Sequence, residues 1–380
     1  MGMPIKDLSG QKTRRTGDEL VRHLESFELD LQFTAGVWFF APGGGRFHER
    51  YVPDVPMEQR IEMAVELMDQ GLVGLEAHYP NEVNDDTIDL FKSANEDAGL
   101  RLITVVPNLF YDAEFEFGSL SSPIEAVRRS AIERTITTLE INKELDTDFA
   151  IVWPGIDGFD NTFGQNHVAA RDRFAEGLAE AMDAVPGVRI CIEPKPYEPR
   201  ANIIYGTTSE ALLLCEKVES LLESDANTGM IGEGTALMGL NPEVGHMLMA
   251  YEDLAYAFSL VCEYGRLGHT HWNSQPMGNY DQDLNAGVVY PEQTEAAMYA
   301  LKMCGYRQYF GLDINPERMP VQQALLNCMD MLKAVNERIN GLDHARVIEC
   351  VENPGANRGI LEALLIRTRY PGATGLSDLD

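Results

Sequence analysis

Ile190-Cys191-Ile192-Glu193-Pro194-Lys195-Pro196-Tyr197-Glu198-Pro199 joins a β-branched apolar run to a carboxylate, a lysine and three prolines. The apolar part reads as a buried strand, and the prolines end it because they cannot donate to a ladder. Side chains alternate along a strand, so Glu193 and Lys195 project together from its C-terminal end. Active sites of parallel α/β barrels lie at that end of the strands.

Working outward, apolar runs and helical patterns alternate on both sides. Strands are expected near residues 29–40, 73–78, 100–107, 149–153, 188–193, 237–240, 267–271 and 309–313. Helices are expected at 57–70, 123–145, 169–184, 209–222, 250–264 and 291–304, with apolar spacing at Ile61, Ala64, Val65 and Met68 in the first. About eight strands, each followed by a helix, point to a closed α/β fold, the (β/α)8 TIM barrel. The expected division is an N-terminal segment over 1–28, the barrel over 29–318 and a C-terminal helical extension over 319–380. No glycine-rich dinucleotide or P-loop fingerprint follows any strand.

Of the 380 residues, 44% are apolar and 24% charged, and no run is long enough to span a membrane. Residues 1–15 are polar and lack the apolar core of a secretory signal, so the cytoplasm is the expected compartment. The formal charge of −30 is spread along the chain and repels phosphate backbones, which argues against a nucleic-acid partner. A solvated acidic surface or a salt-rich habitat explains it. The six cysteines form no Cys-x-x-Cys pair and read as buried thiols.

Ionisable residues gather at the later strand ends. Asn241-Pro242-Glu243-Val244-Gly245-His246 sets a carboxylate and an imidazole three apart, able to reach one metal or two adjacent ones. His269 and His271 share a strand face, Asp281 and Asp283 lie two apart, and Asp313 closes an apolar strand. Taken singly, each has an ordinary explanation such as a helix cap. Together, with Lys195 as the one basic partner, they would repel one another unless cations lay among them.

Three of these segments, 192–200, 240–246 and 280–284, resemble the signature segments of xylose isomerases in the same order and at similar separations. Phe33-Thr34-x-Gly36-x-Trp38, His78, Asn108-Leu109-Phe110 and Trp153 with Gly155 resemble the family's first four strand ends. Carried over by position, the resemblance implies two divalent ions, Mg2+, Mn2+ or Co2+, as cofactors. Glu193, Glu243, His271 and Asp313 would hold the first. Glu243 would bridge to the second, with His246, Asp281 and Asp283. Lys195 would polarise the substrate oxygen near C1, His78 would assist ring opening, and Asp283 would serve the proton on O2. Trp38, Phe110 and Trp153 would wall the substrate, with core packing as their competing role. The implied partners are a small sugar and further copies of the chain, as homodimer or homotetramer. Phe47, beyond Gly43-Gly44-Gly45, would enter a neighbour's site, or else serve as a lid on its own.

The departures are as informative. His271 stands where xylose isomerases place an aspartate, and this histidine is similar to that of L-rhamnose isomerases, although their second-strand ligand is usually Asp rather than Glu243. Asn315 replaces a lysine, Val106 a hydroxyl residue, and Ile156-Asp157 an arginine-glutamate pair. The resulting expectation is a metal-dependent aldose–ketose isomerase acting on a free monosaccharide by a 1,2-hydride shift, with D-xylose itself not implied. A sugar 3-epimerase of the same superfamily and a non-catalytic sugar-binding barrel are the alternatives.

Overall fold

The structure, a computed structural model, describes residues 8–44 and 47–373. Residues 1–7 of the polar N-terminal stretch, Gly45 of the glycine run and residues 374–380 of the extension lie outside the described residues.

Among the described residues ten strands occur in chain order: β1 Phe33–Gly36, β2 Leu72–Tyr79, β3 Arg101–Pro107, β4 Ala150–Val152, β5 Gly158–Phe159, β6 Ile190–Ile192, β7 Asn202–Ile203, β8 Met238–Leu240, β9 His271–Trp272 and β10 Phe310–Leu312. Eight of them, all except β5 and β7, run parallel in two ribbons, β3-β2-β1-β10-β9 and β4-β6-β8. Parallel bridges Leu240 to Leu267 and Glu243 to His271 close one seam. Asp148 N donates to Ile103 O at 3.0 Å and Ile151 N to Thr104 Oγ1 at 3.0 Å across the other. The chain is a TIM barrel. Its extra strands β5 and β7 form a small antiparallel pair in which Gly158 lies against Asn202, where a Cβ would come within 2.0 Å of Asn202 O.

Strand alternation sorts the side chains. One parity of β4, Ala150 and Val152, joins the large core between sheet and helices, whereas Ile151 joins Ile103, Val106, Phe149, Cys191 and Tyr309 in a separate cluster filling the barrel interior. Cys191 points inward, so Glu193 two residues later does too. Tyr309 does the same for Gly311 and Asp313.

Several expected boundaries move. The first strand is shorter than 29–40, because the chain turns into a 3-10 helix at Val37–Phe40. The helix expected at 250–264 runs over Leu254–Glu263, capped by Asp253 through Tyr256 N at 2.9 Å, and a separate short helix, Val244–Met249, precedes it. Helix Val321–Asn340, assigned from sequence to the extension, buries Ala324, Leu325, Cys328 and Leu332 in the barrel's main core. It follows β10 in the chain, and two shorter helices, His344–Glu352 and Ile360–Arg369, come after it. The N-terminal segment also packs: Gln11 exchanges hydrogen bonds with Leu267 at the bottom of the barrel, and Leu20 and Leu24 of helix Gly17–Ser26 meet Ile348. All six cysteines are free thiols. Among the described residues no helix is long and apolar enough to cross a membrane.

Candidate metal centre and substrate pocket

Inward parity at four neighbouring strand ends brings together residues spread over more than a hundred positions. Donor atoms of Glu193, Glu243, His271 and Asp313 all lie within 4.8 Å of one another. Nδ1 of His271 stands 3.1 Å from Glu193 Oε2, 3.4 Å from Asp313 Oδ2 and 3.8 Å from Glu243 Oε2. Glu243, His246 and Asp281 form a second cluster, with His246 Nε2 3.2 Å from Asp281 Oδ2 and 3.3 Å from Glu243 Oε1. Glu243 thus belongs to both. Its place follows from local structure, since it is the N-cap residue of Val244–Met249, the helix that also carries His246. Asp283 lines the same cavity but stands outside that second cluster. Its backbone is left-handed, with φ of 44°, and Asn273 Nδ2 donates to its Oδ1 at 2.9 Å and to Glu243 Oε1 at 2.8 Å.

The electrostatics are those of a crowded anionic site. The cavity, about 270 Å3, is lined by six carboxylates and a single lysine. Burial and the neighbouring carboxylates of Asp281 and Asp313 push Glu243 up to about 7, against partial relief from His246. Burial, then Asp281, Glu243 and Asp313, raises Asp283 well above the carboxylate range. Burial works against Glu193 and Asp281 too, but the His271 imidazole holds Glu193 low, and Lys195 with His246 holds Asp281 low. Lys195 Nζ lies 2.8 Å from Asp281 Oδ2, and despite burial this carboxylate holds the ammonium above its usual value.

Three buried polar atoms in these clusters have no hydrogen-bond partner among the described residues: Nδ1 of His271, Nδ1 of His246 and Oδ1 of Asp281. Buried polar atoms are rarely left so. Nδ1 of His271 is close to Glu193 without being aligned for a hydrogen bond. Orphaned donors among hard carboxylate oxygens, with few imidazoles, fit Mg2+, Mn2+ or Co2+.

Beside the carboxylates lies an aromatic wall. Trp38 packs on His78 with ring centroids 4.5 Å apart, His78 meets Phe110 at 5.7 Å, and Phe110 meets Trp153 edge-on at 4.6 Å. Lys195 Nζ sits 5.2 Å from the Trp153 ring. All three rings line the cavity with Val106 and Ile151. Trp38 is more than a wall, since its Nε1 donates to Asp313 Oδ1 at 3.2 Å. Phe47 does not line this cavity and is 87% exposed.

Residues that sequence reasoning passed over complete the site. Glu82 Oε2 lies 3.0 Å from His78 Nδ1 and accepts from His78 N at 2.8 Å. Against the effect of burial, Glu82 raises the His78 imidazole. Asn241 Nδ2 donates to Glu193 Oε2 at 2.9 Å. Glu76 lies beneath His271 and His269, with Oε2 2.9 Å from His271 Nε2. A carboxylate in the otherwise apolar strand Leu72-Val73-Gly74-Leu75-Glu76-Ala77, two residues before His78, was the available signal. Asp157, noted above only as a departure, is buried and accepts from the backbone and hydroxyl of both Ser119 and Ser121, tying the loops after β3 and β4 together.

Comparison with known proteins agrees with this architecture. Xylose isomerase of Thermus thermophilus is 29% identical over 292 residues, covering 74% of this chain and 70% of the relative. That of Thermus caldophilus is 30% identical over 288 residues, covering 73% and 70%. Among solved structures, 3-keto-D-glucoside 4-epimerase from E. coli superposes with a TM-score of 0.55 at 15% identity, covering 81% of this chain and all of that one. L-ribulose 3-epimerase does so with a TM-score of 0.52 at 16% identity, covering 90% and 99%. At such identity these two speak for the fold alone. The family described as "Xylose isomerase-like TIM barrel" matches residues 63–335, and the chain belongs to that family.

Proposed function

We propose that the protein is a metal-dependent aldose–ketose isomerase acting on a free monosaccharide by a 1,2-hydride shift. The observation that carries this reading is the sharing of Glu243 between two donor clusters, with Lys195 beside the second. A single-metal epimerase needs neither a second cluster nor that lysine.

Glu193, Glu243, His271 and Asp313 would hold one divalent ion, and Glu243, His246, Asp281 and Asp283 the other. When bound, such ions supply Lewis-acid polarisation of the sugar oxygens. His78, with Nδ1 engaged by Glu82, gives a proton from its other nitrogen to the sugar ring oxygen as the bond from C1 to that oxygen breaks, while the anomeric hydroxyl releases its proton to solvent and C1 becomes the carbonyl. Trp38, Phe110 and Trp153 line the extended chain and exclude water. The hydrogen on C2 moves with its electron pair to C1, the O2 proton leaves as C2 becomes the carbonyl, and O1 gains a proton. Lys195 stays protonated and donates to O1 as negative charge grows there. Asp283, fixed by Asn273, serves the departing O2 proton. We further assign the protein to the cytoplasm, as a homodimer or homotetramer in which exposed Phe47 meets a neighbour.

The test is a panel of pentoses, hexoses and 6-deoxyhexoses with Mg2+, Mn2+ and Co2+, followed by turnover of the active sugar deuterated at C2. Retention of the label at C1 is expected. Extensive solvent hydrogen at C1 in initial product would refute the hydride shift, and label exchanged at C3 would assign the epimerase instead.

A further inference from the structure

Glu76 is a carboxylate in the middle of the barrel interior, 1% exposed, and the chemistry above does not use it. Its two oxygens are fully engaged. Oε1 accepts from Thr34 Oγ1 at 2.6 Å and lies 3.0 Å from His269 Nε2, while Oε2 lies 2.9 Å from His271 Nε2. Thr34 donates to one oxygen and a ring nitrogen faces each, so the carboxylate accepts on every side and both histidines present Nε2–H to it. In a neutral imidazole that leaves Nδ1 with the free lone pair. For His271 this nitrogen faces Glu193, Asp313 and Glu243 and has no hydrogen-bond partner.

The neighbouring strand makes room for the arrangement. A Cβ on Gly311 would come within 2.6 Å of His269 Nε2, 2.7 Å of His271 Cδ2 and 2.9 Å of Glu76 Oε1. Real Cβ atoms do not approach so closely, so this layer of the barrel admits the buried group only with glycine on β10. His269 is held from its other sides by aromatic rings, Phe149 at 5.1 Å and Tyr309 at 6.3 Å.

We propose that Glu76 is a positioning residue for the first metal position: it fixes His271 as the Nε2–H tautomer, aims Nδ1 at the ion, and supplies from behind the imidazole a negative charge that the neutral ring lacks. The inference rests on the reading of the two clusters as divalent-metal sites. Glu76 and His271 then act as one unit, a carboxylate relayed through a ring. Carboxylates behind metal-binding histidines orient the ring and raise its basicity. The same three side chains are not a third ion site, because the Nε2–H hydrogens already point at the carboxylate.

The experiment is a double-mutant cycle read by Mn2+ binding rather than by turnover. Parent, Glu76→Gln, His271→Asp and the double variant are stripped of metal, and free Mn2+ is measured by electron paramagnetic resonance during titration. Glu76→Gln in the parent is expected to weaken the affected site by about 10- to 100-fold, the range for loss of a partner behind a metal-binding histidine. In the His271→Asp background the sign reverses. There Glu76 would face a second carboxylate, and removing its charge should strengthen Mn2+ binding or leave it unchanged. The visible spectrum of the Co2+-loaded protein should change with Glu76→Gln, since the ring that would bind the ion loses its orientation. A uniform weakening in both backgrounds would mean a merely structural role and overturns the proposal, as does an unchanged affinity in the parent background. Should Glu76→Gln fail to regain the parental far-ultraviolet circular dichroism, Glu76→Asp is read in the same cycle: it keeps the charge but shortens the reach to His271 Nε2, so it should weaken Mn2+ binding in the parent and leave it unchanged in the His271→Asp background. A parent that binds no Mn2+ at all overturns the underlying metal reading, a result distinct from either.

Discussion

Removing metal should make the stability of this protein fall as pH rises, and the size of the effect follows from Glu243. Its carboxyl moves from an ordinary 4.5 up to about 7 on folding. Between these values the folded state binds more protons than the unfolded one, so stability drains away as pH rises through the interval. A shift of that size corresponds to about 3 kcal/mol at 1.36 kcal/mol per unit. Asp283, also raised, acts in the same direction. His246 and His271 are raised too, with neighbouring carboxylates outweighing burial, so their stabilisation is present below 6.5 and is lost as pH climbs through their folded values. Glu76, Glu193 and Asp281 are lowered; their contribution is complete above 4.5 and is lost only in stronger acid.

At about 2.1 cal/mol/K per residue of unfolding entropy, 380 residues convert 3 kcal/mol into about 4 °C of melting temperature. Bound metal reverses the trend, because its ligands must be deprotonated and affinity grows with pH. Calorimetric melts of chelator-dialysed and Mn2+-loaded protein at pH 5, 6, 7 and 8 measure the gap between the two forms. That gap cancels the pH response of the acidic surface, which both forms share. It should widen by about 4 °C or more from pH 5 to pH 8. A constant or narrowing gap, with metal removal confirmed by elemental analysis, would refute the reasoning.

Replacing Lys195 by Met should lower kcat by about 10²- to 10³-fold, the cost of one donor to developing charge, with metal still bound. Lys195→Arg should not restore it, since a planar fork does not substitute for a point charge in a cavity of about 270 Å3. Steady-state kinetics on the active sugar, with metal content measured alongside, decides. Asp157→Ala strands the backbone and hydroxyl donors of Ser119 and Ser121, and should cost about 3 kcal/mol, or about 4 °C in the melt of the metal-loaded protein. A melt unchanged within 1 °C, on the order of the conversion used above, would remove Asp157 from the fold's supports.

How legible the protein was in its sequence depended on the range of the physics. Apolar runs are local, and they placed Glu193, Glu243, His271 and Asp313 at successive strand ends, while the inward parity they share came from the barrel core. The long signature segments then supplied roles that spacing alone left open. Helix boundaries suffered where a local signal had two readings. Residues 244–249 form a helix directly after Glu243, where only the spacing of Glu243 and His246 had been legible. Helix Val321–Asn340 has an apolar face that looks the same whether it covers a barrel or a neighbouring subunit.

The sequence by itself determined the eight-strand rhythm and the gathering of ionisable residues at its later strand ends, because each is read from neighbours two to four residues apart. Only the tertiary structure decided how those side chains are held. Glu76 meets His269 and His271 across separations of 193 and 195 residues, and Glu82 serves His78 through the turn after β2. Closing the barrel sets β2 and β9 on either side of a layer where Gly311 leaves room. A charge buried there must find its partners in space, and no periodicity along the chain records which ones they are.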